Sequence, residues 1–564
     1  MPPARSSGLS SGRAPGAAGG RAAACRALTR SLGTLLPFRF QPLLLEGANV
    51  QAQSPEANSA KTFTRNSALS VGRLFVSTAI ALVLPSFLTH RLPVKTYSAW
   101  VLILQMSAYV GYLDFGIQTG IAKYVAEFEA RHDAAGSSMR ASAGLALMVV
   151  ASILGVLLTV ILAWRVPNIF HEMPSSLFAD VRLSLLFVGI SLSFGLLCSI
   201  CSSIFLGLQQ YAVPIVLSLV NRVLYTIVIL VAVFLHQSLA VMGALVAAVN
   251  IVTGLMQFGA WRKLARHVHL RLRGLDFSIV RKMLSYCSTL AIWTAGMLCV
   301  SGLDVTIVGR YDYGQTAFYS IATLPTNFAM SIMGAALAPL LPTASALSVQ
   351  RTPGQMGDIL SRITRYGSIL LIVSGIPLLV AGFWILRVWV GPVYALHALP
   401  YLRILVLANI IRNMCMPYAS MLVATDTQRV AIGGAVAEAV VNLTFSIYLA
   451  RHMGAIGVAY GTLIGSFVSV GVHFVWNMRY TRPQFDVAPL RLFASGIVRP
   501  ALIAVPSLLL LRLWWSDAPP AFNLPLWIFW AVGTALVAWF ATLKDDERHS
   551  LAGILATRLK LRTS

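Results

Sequence analysis

SAGLALMVVASILGVLLTVILAW, residues Ser142–Trp164, contains no charged side chain. A helix needs about 20 apolar residues to cross a bilayer, at about 1.5 Å of rise per residue. This segment meets that length, and stretches of the same kind recur from about Ala68 to about Leu543. Across the 564 residues, 57% are hydrophobic and only 11% charged, whereas soluble chains carry about a quarter charged residues. Within a bilayer every backbone N–H and C=O must be paired inside the protein, so the spans must be helices or a closed β-barrel. The short alternating segments of a barrel are missing. The reading is an all-α polytopic membrane protein with about 14 transmembrane helices.

These spans predict two six-helix bundles, over 65–261 and 283–477, forming a V around a central cavity. A basic linker, 262–282, joins them, and two additional helices occupy 478–543. A disordered basic tail, 1–64, precedes the first bundle, and a basic tail, 544–564, follows the last span. Expected boundaries include Thr96–Gln118 for the second span, Met283–Val308 for the seventh, Arg365–Trp389 for the ninth and Ala398–Ala424 for the tenth. The last two are Ile497–Trp515 and Leu526–Leu543.

A net charge of +24 would suit a nucleic-acid binder, but its placement argues against one. Lys and Arg collect in alternate loops: Arg262, Lys263, Arg266, Arg271, Arg281 and Lys282 in one, Arg351 and Arg362 in the next, then Arg479, Arg482 and Arg491. The loops around Gln237, Tyr394 and Asn523 are nearly free of them. Such asymmetry is the positive-inside pattern, which puts both termini in the cytoplasm. The partners it implies are anionic membrane lipids, not nucleic acid. Among the six cysteines, Cys198 and Cys201 have C-x-x-C spacing, but no second pair or nearby His completes a metal site. No Walker-type glycine loop is present, so primary ATP-driven transport by this chain alone is not expected; no metal and no cofactor is expected either.

The chain repeats weakly at an offset of about 220 residues. KTYSAW (Lys95–Trp100) opens the second span and QTAFYS (Gln315–Ser320) the eighth; the preceding spans end in Arg91 and Arg310. Two related bundles suit a transporter that rocks one half against the other around a central site.

LPVKTYSAW (Leu92–Trp100) and LDFGIQTGIAKYVAE (Leu113–Glu127) resemble the first helices of the lipid-linked oligosaccharide flippases. These are the O-antigen and polysaccharide transporters of the multidrug/oligosaccharidyl-lipid/polysaccharide export superfamily. GLDVTIVGRY (Gly302–Tyr311) with AFYSI (Ala317–Ile321) is similar to that family's seventh and eighth helices. The resemblance covers about Ala68–Leu543. It implies movement of an undecaprenyl-diphosphate-linked glycan across a bacterial inner membrane for surface polysaccharide (O-antigen or exopolysaccharide) synthesis, without ATP hydrolysis. Partners implied with it are a polysaccharide polymerase and the chain-length machinery.

A charge at the bilayer centre costs about 2.5–3.5 kcal/mol on insertion scales, so buried ionisable groups mark partners or polar cavities. Arg222 lies in the fifth span, Asp304 in the seventh, Arg403 and Arg412 in the tenth, and Glu438 in the eleventh. Asn221, Asn250, Asn413 and Asn442 lie at similar depth. Arginine forks match phosphate oxygens and amides match sugar hydroxyls, so Arg222, Arg412, Arg403 and these four Asn are the candidate substrate-binding residues. An internal ion pair, for example Glu438 with Arg412, is the competing reading. Glu438 and Asp304 are candidate coupling groups; Arg73 and Asp114, near the cytoplasmic face, are candidate gating residues, with a structural ion pair as the favoured reading and an incoming phosphate as the other partner for Arg73. Two other functions compete. An ion-coupled multidrug exporter would present acidic or aromatic groups to a cation. A membrane enzyme of glycan assembly would need a catalytic constellation in an external loop, and the longest, about Arg165–Asp180, offers only His171, Glu172 and Asp180.

Overall fold

The computed structural model describes residues 72–73, 76–272, 276–337, 340, 344–345, 347–348, 351–425, 427–505, 509, 524–543, 545 and 548. The tail 1–64, almost all of 544–564 and the second part of Ile497–Trp515 lie outside them. Among the described residues the ordered elements are all helical, and eleven helices are long and apolar enough to cross a membrane. A twelfth helix, α1, runs over 76–91.

In the first half α2 is Val94–Tyr112, α3 Ile117–Ala130, α4 Ala134–Ile169, α5 Phe178–Gly207, α6 Ala212–Phe234 and α7 Leu239–Leu264. The second half contains α8 Phe277–Met297, α9 Asp304–Tyr311, α10 Thr316–Leu337, α11 Pro353–Val380, α12 Gly382–Val390, α13 Pro392–Asn413, α14 Met416–Ala424, α15 Ile432–Met453 and α16 Ala455–Val472. One packing pattern serves both halves. Helix α5 packs on α2, α4 and α7, and α13 packs on α10, α11 and α16; α6 pairs with α7 as α15 pairs with α16. The weak sequence repeat is therefore a structural one. After α16, the short helix Pro489–Phe493 and α17, Leu524–Val537, follow.

Several helices end where hydropathy alone cannot show it. The second span breaks after Tyr112 because Phe115 (φ +46°) and Gly116 (φ +77°) take left-handed backbone. Beyond the break α3 buries Ile117, Gly120, Ile121 and Val125 on one face. A Cβ at Gly116 would sit 2.7 Å from Leu290 Cβ on α8. Gly116→Ala should therefore destabilise the protein by about 1–3 kcal/mol, read as an earlier thermal unfolding in detergent. The ninth span starts at Pro353, earlier than the apolar pattern indicates. Thr352 and Gln355 form a capping box there, and Pro353 occupies the first helical position. The tenth is divided between α13 and α14 with Pro417 in the first turn of the latter. The seventh passes from α8 through a π-helical segment, Leu298–Gly302, into α9.

The halves share one core at the end whose loops are poorer in Lys and Arg, the neutral end. There Trp100, Leu102, Ile103 and Phe170 of the first half pack with Tyr313, Phe318, Tyr394 and Leu402 of the second. Trp389 Nε1 donates to the carbonyl of Leu82 across the same junction. Towards the basic end the cores separate. One belongs to the first half, with Met283 and Cys287 of α8 against it, and two lie in the second half and the helices after it. The halves thus meet at the neutral end and along the α8 seam, and keep separate cores elsewhere.

Candidate functional site

A cavity of about 500 Å³ lies in the first half, lined by α1, α5, α6 and α7. Its walls follow from helical spacing. Ser218, Asn221 and Arg222 stand at i, i+3 and i+4 on α6; Asn250, Thr253, Gly254 and Gln257 stand at i, i+3, i+4 and i+7 on α7. Helix α5 contributes Ser191, Leu192 and Gly195, α1 contributes Ser77, and Arg73 comes from the residues preceding α1. A Cβ at Gly195 would meet nothing within 4 Å, so this glycine faces open space.

The floor is a connected polar network. Asn221 Nδ2 donates to Asn250 Oδ1 at 3.2 Å and to Thr253 Oγ1 at 2.9 Å. Asn250 Nδ2 donates to Ser191 Oγ at 3.1 Å. Above it, Arg73 and Arg222 are exposed, and neither has a carboxylate partner among the described residues. Arg222 is ten residues into α6, about 15 Å along the axis, which is mid-membrane depth. The lining contains two guanidinium groups and no acid. It is cationic, amide-rich and open; guanidinium forks of this kind match anionic oxygens, and amides match hydroxyl groups.

The second half holds a different cluster. Arg412 Nε of α13 donates to Glu438 Oε1 of α15 at 2.6 Å, with both side chains largely buried. Asp304, buried on α9, accepts from Thr462 Oγ1 at 3.2 Å and from Tyr319 Oη at 3.5 Å. Its Oδ1 and one terminal nitrogen of Arg412 are buried without hydrogen-bond partners. Asn442 Nδ2 donates to the carbonyl of Val300 at 3.0 Å, inside the π-helical segment whose altered bonding frees such carbonyls. Ser446 Oγ in turn donates to Asn442 Oδ1.

The structure therefore brings Arg73, Asn221, Arg222 and Asn250 to one cavity, and Asp304, Arg412, Glu438 and Asn442 to a separate buried cluster. Asn413 donates to its own helix at Asn409 O. Arg403 is half-buried and makes no hydrogen bond or ion pair among the described residues. Asp114 does not meet Arg73; its Oδ1 accepts Gln118 N–H at 3.2 Å, at the start of α3. Sequence reasoning passed over Ser191, Ser218, Thr253 and Gln257. Their spacing of three, four or seven from Asn221, Asn250 and Gly195 is the signal that finds them. No group of His, Cys, Asp and Glu suited to a metal ion occurs among the described residues.

No family model matches the sequence, and no curated protein matches it. Solved structures do match in fold. The lipid II flippase MurJ, in an inward closed conformation, aligns with a TM-score of 0.64 at 14% identity, covering 84% of this chain and 98% of that one. An inward-facing multidrug resistance MATE family transporter of the MOP superfamily aligns with a TM-score of 0.60 at 14% identity, covering 73% and 98%. MATE in a straight conformation aligns with a TM-score of 0.54 at 16% identity, covering 75% and 96%. The protein is a multi-pass membrane protein with the fold shared by these flippase and transporter structures.

Proposed function

We propose that this protein is a flippase that carries an undecaprenyl-diphosphate-linked oligosaccharide from the cytoplasmic to the periplasmic leaflet of a bacterial inner membrane. The observation that carries the reading is the cavity lining: Arg73 and Arg222 without an acid, over the Asn221–Asn250–Thr253–Ser191 network. Two guanidinium groups offset the charge of a diphosphate, and the neutral network suits sugar hydroxyls. The fold shared with a lipid II flippase supports it. The basic loops lie in the cytoplasm, with both termini, so the junction at the neutral end closes the periplasmic side. The headgroup enters from the cytoplasm while the polyprenyl tail stays in lipid. Rocking of the halves then exposes the headgroup to the periplasm. Asp304 and Glu438 are the carboxylates that a coupling proton or sodium ion would meet, and downstream polymerisation would also give direction. The product feeds surface polysaccharide assembly, with the polymerase and chain-length machinery downstream.

The alternative, a multidrug exporter, has support from the MATE structures of the same fold. A cationic compound, however, would face two unneutralised guanidinium groups in this cavity. Competition separates the readings. Native mass spectrometry of the full chain in nanodiscs should show undecaprenyl diphosphate bound and undisplaced by a large excess of a lipophilic cation such as ethidium. Displacement by the cation, or no retention of the diphosphate, would reject the flippase reading.

A further inference from the structure

The spanning helix that contains α10 begins at Tyr313 and runs to Leu337. Every helix N-terminus leaves backbone N–H groups unpaired, and Asp just before the first turn is a preferred cap for them. Asp312 holds that position here, yet its side chain does not cap the helix. Its Oδ2 instead accepts Ala455 N–H at 3.2 Å, at the start of α16. The cap comes from the other half of the molecule. Glu172, on the turn after α4, accepts Tyr313 N–H on Oε2 at 3.0 Å. Ser98 Oγ of α2 accepts Ala317 N–H at 3.2 Å in the next turn. Tyr313 Oη returns a hydrogen bond to the carbonyl of Lys95 at 2.7 Å. All three bonds cross between the halves, and all lie at the neutral end. A carboxylate at a helix N-terminus also has the favourable sign towards the helix dipole.

We propose that Glu172 is a latch: its carboxylate caps a second-half helix only while the neutral end is closed, and it must release Tyr313 N–H before that end can open. This rests on the alternating-access reading above. Glu172 is solvent-exposed, so its removal leaves the cores intact. The released Tyr313 N–H is then left to water, and the closed state loses part of its advantage.

The test is a distance measurement by pulsed electron spin resonance on the full-length protein in lipid nanodiscs, with the native cysteines replaced and spin labels at Gln237 and Leu396. Both positions are exposed at the neutral end, one on each half. Glu172→Ala should raise the long-distance, open fraction about fivefold, the size expected for loss of a helix cap. Glu172→Gln, which keeps an accepting oxygen but loses the charge, should give a smaller rise. The control His171→Ala, on the same exposed turn, should leave the distribution unchanged. An unchanged distribution in Glu172→Ala overturns the latch, and so does an equal shift in His171→Ala. The distances are read without substrate. A shift with no lipid transport would therefore sink the flippase reading alone, whereas transport with unshifted distances would sink the latch alone.

Discussion

A double variant, Arg73→Ala with Arg222→Ala, should bind a polyprenyl-diphosphate headgroup about 10²–10⁴-fold more weakly than the wild type, by native mass spectrometry or calorimetry. Hydrogen bonds to charged groups contribute about 1.5–3 kcal/mol each, and about 1.4 kcal/mol is a factor of ten in affinity. Both side chains are exposed and unpaired by carboxylates among the described residues, so folding should not suffer, and unfolding temperatures should match. Arg222→Lys should recover only part of the affinity, because an ammonium lacks the planar two-donor fork. Binding at wild-type strength by the double variant would remove the cavity from the account.

Arg412→Ala should act differently, through stability. Glu438 is buried and its partner is Arg412 at 2.6 Å. Breaking a buried pair by removing one member costs about 3–5 kcal/mol, because the other is left uncompensated. Arg412→Met combined with Glu438→Leu removes both charges and should regain most of that loss. Thermal unfolding in detergent reads the comparison. A single variant as stable as the wild type would show that the pair carries no structural role.

Much of the architecture is legible in the sequence because the bilayer enforces it. The apolar lengths and the alternation of basic loops follow from the solvent, not from packing. The breaks were less visible. Gly116 lies within the LDFGIQ run, whose resemblance says nothing of its backbone; its closeness to Leu290 and its positive φ mark the break between α2 and α3. Helix α11 reaches back to Pro353 through Asp358 and Arg362, which a hydropathy reading leaves in a loop.

The candidate site divides along the same line. Asn221, Arg222 and Asn250 stand out because amides and guanidinium groups are costly in a membrane. Ser191, Ser218 and Thr253 do not, since helical hydroxyls commonly bond their own backbone, as Thr253 also does with Val249 O. Which arginine faces the cavity and which meets Glu438 is a matter of helix rotation. Glu172 shows the limit most clearly. It reads as an isolated acid in an external turn, and its partner, Tyr313, is 141 residues away.

The most direct measurement is transport itself. The purified protein is reconstituted in sealed vesicles carrying a fluorescent undecaprenyl-diphosphate oligosaccharide, with a lectin or membrane-impermeant quencher outside to score leaflet position. The wild type should equilibrate the lipid between leaflets many times faster than protein-free vesicles, and the Arg73→Ala, Arg222→Ala variant should not. Leaflet exchange no faster than in protein-free vesicles, with or without an imposed proton or sodium gradient, would contradict the flippase account.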